Sequence, residues 1–575
     1  MSLNKHVGSH VDGVSHRGRV ERVTARVFRN DWNALTPPTT GRWTPELTVS
    51  VVIPARGGQD RLDLALASLS VQTYPDHLLE VVVVDDHSSP PLRLPEHRPR
   101  RCRIVPAPDH GWGAGYARAY GAHASTGDIL VWMDADMVAT RDFVEAQARW
   151  LHAHAECVTL GRVRFSDTEP ESVGALLDAL RSGGPERILT DDRRHAWVEQ
   201  LLDHSDRLRE ADHLGFHAHV GAAAALRRSL YEAAGGVDPD LDLGQDTEFG
   251  YRLWQAGAVM VPEPAATAWH VGPAVTARTR LPSERFRTEV LAELMPHPHA
   301  YRERVPVERR RIPLVHAVVD ISGASYDLAR GCVDRLLGGT ETDLVVTLVA
   351  DWAGVRETTL EHQGLDLRLI QANYLREPRI TFASVAPRTG FPSPFLLQLP
   401  VAWGLGELTL SRLLAGAERS RSGLIELFQA SSPTRDAGVR LWRTRALARA
   451  MRVRREGEEL TDVVAQLHGR YRIHGGEGTL TDLTLHRSVP PMPRPAPETR
   501  YEDDPSVPGD PEAERTGRGM VEDHHPQEEA PHGRARRRGL GRRIRALWHR
   551  ACRACGREMP EEDGTDGPGG PPTAG

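Results

Sequence analysis

Lysine is all but missing from this 575-residue chain: Lys5 stands alone among 72 basic residues, and the rest are arginine. A bias so uniform belongs to composition at large, so no arginine is informative merely for being one. Cysteine is scarce too, with Cys102, Cys157, Cys332, Cys552 and Cys555 scattered and odd in number. That excludes a disulfide framework and, with no signal-peptide pattern near Met1, sets the expectation of a reducing cytoplasm. Cys552 and Cys555 form one Cys-x-x-Cys without a second pair, which reads as free thiols. No run approaches the roughly 18 apolar residues of a membrane helix. A net charge of -6 leaves no electrostatic footprint for nucleic acid. The hydrophobic fraction of 39% is low for a chain of this length. More than one core is expected, with part of the chain unpacked.

Against these absences stands a strand–helix alternation. The apolar run Leu47 to Pro54 predicts a buried strand, and Leu62, Leu66, Leu69 and Val71 predict a helix. Leu79 to Val84 is a second strand closing on Asp85-Asp86-His87, and Arg103 to Val105 is a third. Gly111-Trp112-Gly113-Ala114-Gly115 opens a helix through Ala124, and the next strand ends in Asp134-Ala135-Asp136. This spacing predicts a parallel sheet with right-handed crossovers, whose strand ends lie on one edge. Asp86 and Asp136 then converge on one ligand. Hard oxygen donors there suit Mg²⁺ or Mn²⁺ beside a diphosphate. A dinucleotide-binding domain is disfavoured: Pro54-Ala55-Arg56-Gly57-Gly58 is not G-x-G-x-x-G, and Arg118 stands where a third glycine belongs after Gly113 and Gly115.

Val51–Ala55, Val83–Ser88, Gly113–Ala119 and Asp134-Ala135-Asp136 resemble the donor half of a family 2 glycosyltransferase of the GT-A fold. Gly221 to Ser229, Ala234–Asp238, Gly244–Leu253 and Trp269-His270 resemble its acceptor half, so the likeness runs from about Leu47 to Gly272. It implies an α/β fold, a mixed sheet flanked by helices, and a metal-dependent, inverting transfer of one sugar. The donor is a nucleoside-diphosphate sugar, and the acceptor hydroxyl belongs to a cell-surface glycan, a lipid-linked intermediate or a small metabolite. Site roles follow from the same resemblance. Asp136 holds Mn²⁺ or Mg²⁺, with His270 as a further ligand and Asp134 on the ribose or a metal-bound water. Asp86 accepts from the base or ribose, and Pro54 to Arg56 cover the base. Asp246 is the general base; because Gln245 replaces the family's glutamate, either Asp246 is more acidic than usual or Glu248 shares its work. Arg56-Gly57 replaces the family's Tyr-Asn, and Gln-x-x-Arg-Trp is absent after Asp246, which favours single transfer over processive synthesis. His213, His217 and His219 are placed along the acceptor cleft. A sugar nucleotidyltransferase and a non-catalytic nucleotide- or glycan-binding scaffold are the alternatives.

The domain reading is a 1–46 extension, a 47–280 catalytic domain, a 281–311 linker, a smaller 312–490 α/β domain and a disordered 491–575 tail. In the extension, Val20 to Phe28 is a candidate edge strand. In the second domain, Leu314–Asp320, Asp343–Asp351 and Leu367–Ile370 read as strands and Tyr326 to Leu337 as a helix. Arg421 to Ser432 parallels Ser125 to Asp136, with Ala430 and Ser432 in place of Asp134 and Asp136. That parallel suggests a degenerate second GT-A-like domain, useful for acceptor binding, homodimer formation or scaffolding. In the tail, Leu540, Ile544, Leu547, Trp548 and Ala551 share one helical face among the arginines of 534–557. Two readings stay open: a peripheral helix on the anionic inner face of the cell membrane, or a solvated basic tail.

Overall fold

The computed structural model describes residues 26–485 apart from 191–192, 273–279, 298–301, 303–309, 356–361, 429–435 and 477. In chain order the first half runs β1 (Val49–Ala55), α1 (Gln59–Leu69), β2 (Leu79–Asp85), β3 (Cys102–Pro106), α2 (Gly113–Ala124), β4 (Ile129–Trp132), β5 (Met137–Ala139) and α3 (Phe143–Ala153). It continues through β6 (Cys157–Ser166), α4 (Val173–Ser182), β7 (Arg193–Arg194), α5 (Ala196–His204), β8 (Ala224–Arg227), α6 (Arg228–Ala233), α7 (Gln245–Gln255) and β9 (Val259–Val271). The strands make one sheet in the order β3-β2-β1-β4-β8-β6-β9-β5, with β7 beside β6. β1 is parallel to β2 and β4, whereas β8 is antiparallel to β4 and β6, so the sheet is mixed.

β2 is buried from end to end, which is why it reads as an unbroken apolar run. Val81 and Val83 pack with Leu62 and Phe143 on one face, and Val82 and Val84 pack with Ala117 of α2 on the other. Each such side chain contributes roughly 1.5–3 kcal/mol of burial. The parallel strands end together, and Asp86, Asp134 and Asp136 follow β2 and β4 at that edge.

Helix α8 (Arg280–Leu294) occupies much of the segment expected to be a linker. Leu291, Leu294 and Met295 join the core under α7. The second half then runs β10 (Val315–Asp320), α9 (Tyr326–Leu337), β11 (Leu344–Val349), α10 (His362–Tyr374), β12 (Ile380–Ala383), β13 (Phe395–Gln398), β14 (Trp403–Leu405) and α11 (Thr409–Ser420). Last come β15 (Leu424–Phe428), β16 (Asp436–Arg443), α12 (Thr444–Val453), α13 (Leu460–His468), β17 (Arg470–His474) and β18 (Leu480–Asp482). Leu367–Ile370, expected as a strand, lies inside α10, because a short apolar run suits either structure. Residues 26–28 form no strand. The rest of the Val20–Phe28 candidate, the tail with 534–557, and Cys552 and Cys555 lie outside the described residues.

The second sheet, β12-β11-β10-β13-β16-β15-β17, matches the first seven strands of the other, β3-β2-β1-β4-β8-β6-β9, in order and direction. β10 is parallel to β11 and β13, β16 is antiparallel to β13 and β15, and β17 is parallel to β15. Side chains repeat as well. Arg227, ending β8, donates to the Leu151 carbonyl in α3, and Arg443, ending β16, donates to the Ala417 carbonyl in α11. Register fixes the correspondence: Val49 pairs with Leu79 and Ile129, and Val315 with Leu344 and Phe395. The Met133 N–H donates to Val52, and the Leu399 N–H to Val318. Pro400-Val401-Ala402 therefore stands where Asp134-Ala135-Asp136 does. The likeness of Arg421–Ser432 to Ser125–Asp136 is out of register, since β15 occupies the place of β6 and β13 that of β4. Ala430 and Ser432 lie outside the described residues. Both sheets belong to one compact unit ending at Leu483. Among the described residues no helix is long and apolar enough to cross a membrane.

Candidate active site

Antiparallel pairing of β5 with β9 sets Met137 opposite His270 and so brings Asp136 beside that imidazole. His270 Nε2 lies 3.1 Å from Asp136 Oδ2. Burial pulls the His270 pKa down, but the Asp136 hydrogen bond and the charges of Asp136 and Asp134 outweigh it, and the net direction is up. Asp134 turns the other way. Its Oδ1 accepts from Arg118 Nη2 at 2.5 Å. Desolvation raises its carboxyl, helped by Asp136 and opposed by Arg118.

Arg118 is the residue that sequence reasoning missed, since it was given no role in the site there. It is buried on the inner face of α2 and meets two parts of the site at once. Beyond Asp134 it packs on Gly221, where an added Cβ would stand 2.8 Å from Arg118 Nη1. The Gly221 N–H points at Asp246 Oδ2, 3.3 Å away. The same helix reaches Asp86, whose Oδ2 accepts from the Gly113 N–H at 2.9 Å. Asp86 Oδ1 is 3.1 Å from His87 Nδ1. Helix α2 thus ties Asp86, Asp134 and Asp246 into one neighbourhood. Its signal in the sequence was a helix-opening glycine run followed by a lone inward-facing arginine.

Asp246 sits in the first turn of α7, after Gly244 in a left-handed conformation at φ 86. Its Oδ1 accepts from the Thr247 N–H at 2.8 Å, and its carbonyl accepts from His219 Nδ1 at 2.8 Å. His195 feels both Asp246 and His270, while burial lowers its own pKa. Its ring meets Phe165, which also packs on His270. Beside His195 lies a cavity of about 60 Å³, lined among others by Arg162, Val198, Ala218 and Val220.

Two expectations change. Glu248 does not stand with Asp246: it is buried, and Arg252 closes it at both oxygens, 2.5 and 2.7 Å away. Two positions after Asp246, it lies on the opposite side of α7. The three histidines form no row, because they lie on and just after a 3₁₀ turn, Asp212–Ala218. His219 supports Asp246, while His213 packs on His297 at 4.6 Å between ring centroids. Pro54 is half-buried at the end of β1 and Arg56 is exposed beyond it, near the loop in which the Gly57 N–H donates to Ser88 Oγ.

Asp136 and His270 offer a carboxylate and an imidazole side by side, a donor set that fits Mn²⁺. A second group, His213, His297 and Glu418, brings its ligand atoms within 4.8 Å of one another. It suits a cation poorly, since Glu418 already faces Arg443 at 3.0 Å and His297 at 3.4 Å, and Arg445 lines the same pocket.

The family described as "Glycosyl transferase family 2" matches residues 50–234. This region is a family 2 glycosyl transferase domain. The match contains Asp86, Arg118, Asp134, Asp136 and Gly221, while Asp246, Glu248 and His270 lie beyond it. The glycosyl transferase and its surroundings resemble a chondroitin synthase of Escherichia coli, 26% identical over 58% of this chain and 50% of the relative. A hyaluronan synthase of Pasteurella multocida is 26% identical over 60% of this chain and 36% of its own. A pre-mycofactocin glycosyltransferase of Mycobacterium tuberculosis is 30% identical over 39% and 42%. The chain thus spans half or less of the length of these relatives. A solved structure of GalNAc-T7 with UDP, GalNAc and Mn²⁺ overlaps 40% of this chain and 44% of its own, at 18% identity and a TM-score of 0.30.

Proposed function

We propose that this protein moves one sugar from a nucleoside-diphosphate sugar to an acceptor hydroxyl, with inversion at the anomeric carbon. The observation that carries the reading is the gathering of Asp86, Asp134 and Asp246 around α2, with Asp136 and His270 in contact on the same edge. Asp136 and His270 would hold a divalent cation, whose charge offsets that developing on the departing diphosphate. Asp86 and the loop after β1 receive the nucleoside. Arg118 holds Asp134 in place and offsets part of the desolvation that raises its carboxyl. On the other side, Asp246 takes the proton from the acceptor hydroxyl as the oxygen attacks. Its Oδ1 is held by Thr247, and Oδ2 points toward Gly221 at the longer distance, the better-placed oxygen for this task.

The cavity beside His195 is the acceptor's side of the site. A glycan is the favoured acceptor, because two of the relatives are named as synthases of glycan polymers. The test is release of nucleoside diphosphate from a panel of sugar nucleotides, with and without Mn²⁺. Metal-dependent turnover of one donor supports the reading, and a full panel without turnover refutes it.

A further inference from the structure

Two arginines of α12 are spent on the first sheet's half of the molecule rather than on their own. Arg449 is fully buried and donates from Nε to the Gly257 carbonyl at 2.9 Å and from Nη2 to Ala258 at 2.6 Å. It also donates to the Arg29 carbonyl. The Gly257 and Ala258 carbonyls follow the C-terminal end of α7, where the helix dipole favours a cation. Gly257, at φ 90, allows the approach: a Cβ there would stand 2.7 Å from the Arg449 backbone nitrogen. Arg445 lies with its guanidinium carbon 3.5 Å from the centroid of Trp254, within α7. Its Nη1 donates to the Asp212 carbonyl at 2.9 Å.

Both contacts lead to Asp246. One fixes α7, which carries Asp246 at its other end. The other fixes the start of the 212–218 turn, which delivers His219 to the Asp246 carbonyl and Gly221 to its carboxylate. Desolvation opposes both guanidinium charges, pushing Arg449 down to about 10 and Arg445 lower than usual. Packing alone would be served more cheaply by apolar side chains.

We infer that the second sheet, which carries Pro400-Val401-Ala402 where the first carries its acidic pair, is a catalytically empty copy that holds the general base in register, with Arg445 and Arg449 as positioning residues. The role rests on the proposed activity, but the mechanical link from α12 to Asp246 does not. The experiment therefore has two readouts on the full chain, for Arg445→Lys, Arg445→Gln and Arg449→Met. Hydrogen exchange should rise in peptides covering 213–221 and 244–248, with 49–55 and 79–85 unchanged. For the donor found active, kcat should fall about 10–100-fold with donor KM unchanged, as expected when a reacting group shifts by an ångström or so. Lysine at 445 should restore part of the loss, since it keeps a cation over Trp254. Arg445→Lys is the mild variant if the others do not fold. Unchanged exchange at 213–221 and 244–248 overturns the link whether or not any donor turns over. Kcat and donor affinity falling together in folded variants overturns the positioning role. If no donor is turned over by the parent protein, the proposed activity fails while exchange still decides the link.

Discussion

His270 Nε2 and Asp136 Oδ2 are 3.1 Å apart, although 134 positions separate them along the chain (270 minus 136). The β5–β9 pairing makes them neighbours, so the pair is a product of the fold and not of a local motif. If it holds the cation, Asp136→Asn should abolish Mn²⁺-dependent binding of a nucleoside diphosphate. His270→Gln should weaken it at least about tenfold, since a proposed ligand is removed and even outer partners of metal ligands are worth about 10–100-fold. Titration calorimetry with and without Mn²⁺ checks both, and equal binding by the Asp136 variant rules this metal site out.

Gly221→Ala tests the bridge formed by Arg118. The added methyl would press on the guanidinium from 2.8 Å and must displace it from Asp134, or shift the Gly221 N–H from Asp246. Turnover should fall at least about tenfold, a barrier increase of about 1.4 kcal/mol. The melting temperature should change little. A variant as active as the parent would mean that Arg118 is a bystander.

Glu248 and Arg252 form a buried pair, and Arg252 also donates to the Ala234 and Gly236 carbonyls. Glu248→Ala leaves that guanidinium buried without its anion, a change that typically costs about 3–5 kcal/mol. A drop in melting temperature with turnover per folded molecule retained is expected. Loss of turnover at unchanged stability would return Glu248 to the chemistry.

Acidification should loosen the region around the 212–218 turn. Burial pushes His217 down from 6.5 to about 4, with His213 and Arg287 adding to it, and burial lowers His297 as well. The folded state keeps these rings neutral while the unfolded chain takes up protons. The stability they leave intact is therefore full above about pH 6.5 and is lost as pH falls toward 4. Melting temperature measured against pH should show this slope, and His217→Gln should flatten part of it. An unchanged slope in the variant would remove His217 as a cause.

The first sheet was legible because its strands are buried on both faces and read as unbroken apolar runs, as β2 does, with acidic residues set at their ends. The second was harder. Leu367–Ile370 is as apolar as a strand yet belongs to α10, and periodicity over four residues does not separate the two. The repeat was visible in outline but misregistered. Gly423–Phe428 resembles the run before Asp134 in composition, whereas strand order is decided by long-range pairing. Glu248 and Arg118 show the same limit within the site. Local sequence supplies the carboxylate or the guanidinium, but only packing decides that one is locked to Arg252 and the other spans Asp134 and Gly221.

The most direct test of the account is Asp246→Asn, assayed for both nucleoside diphosphate release and Mn²⁺-dependent donor binding. Asparagine keeps an acceptor oxygen for only one of the Thr247 and Gly221 N–H groups, and it cannot take the acceptor's proton, so turnover should fall about 10²–10⁴-fold while donor affinity stays at the parent value. Full turnover by this variant would contradict the assignment of Asp246 as the base.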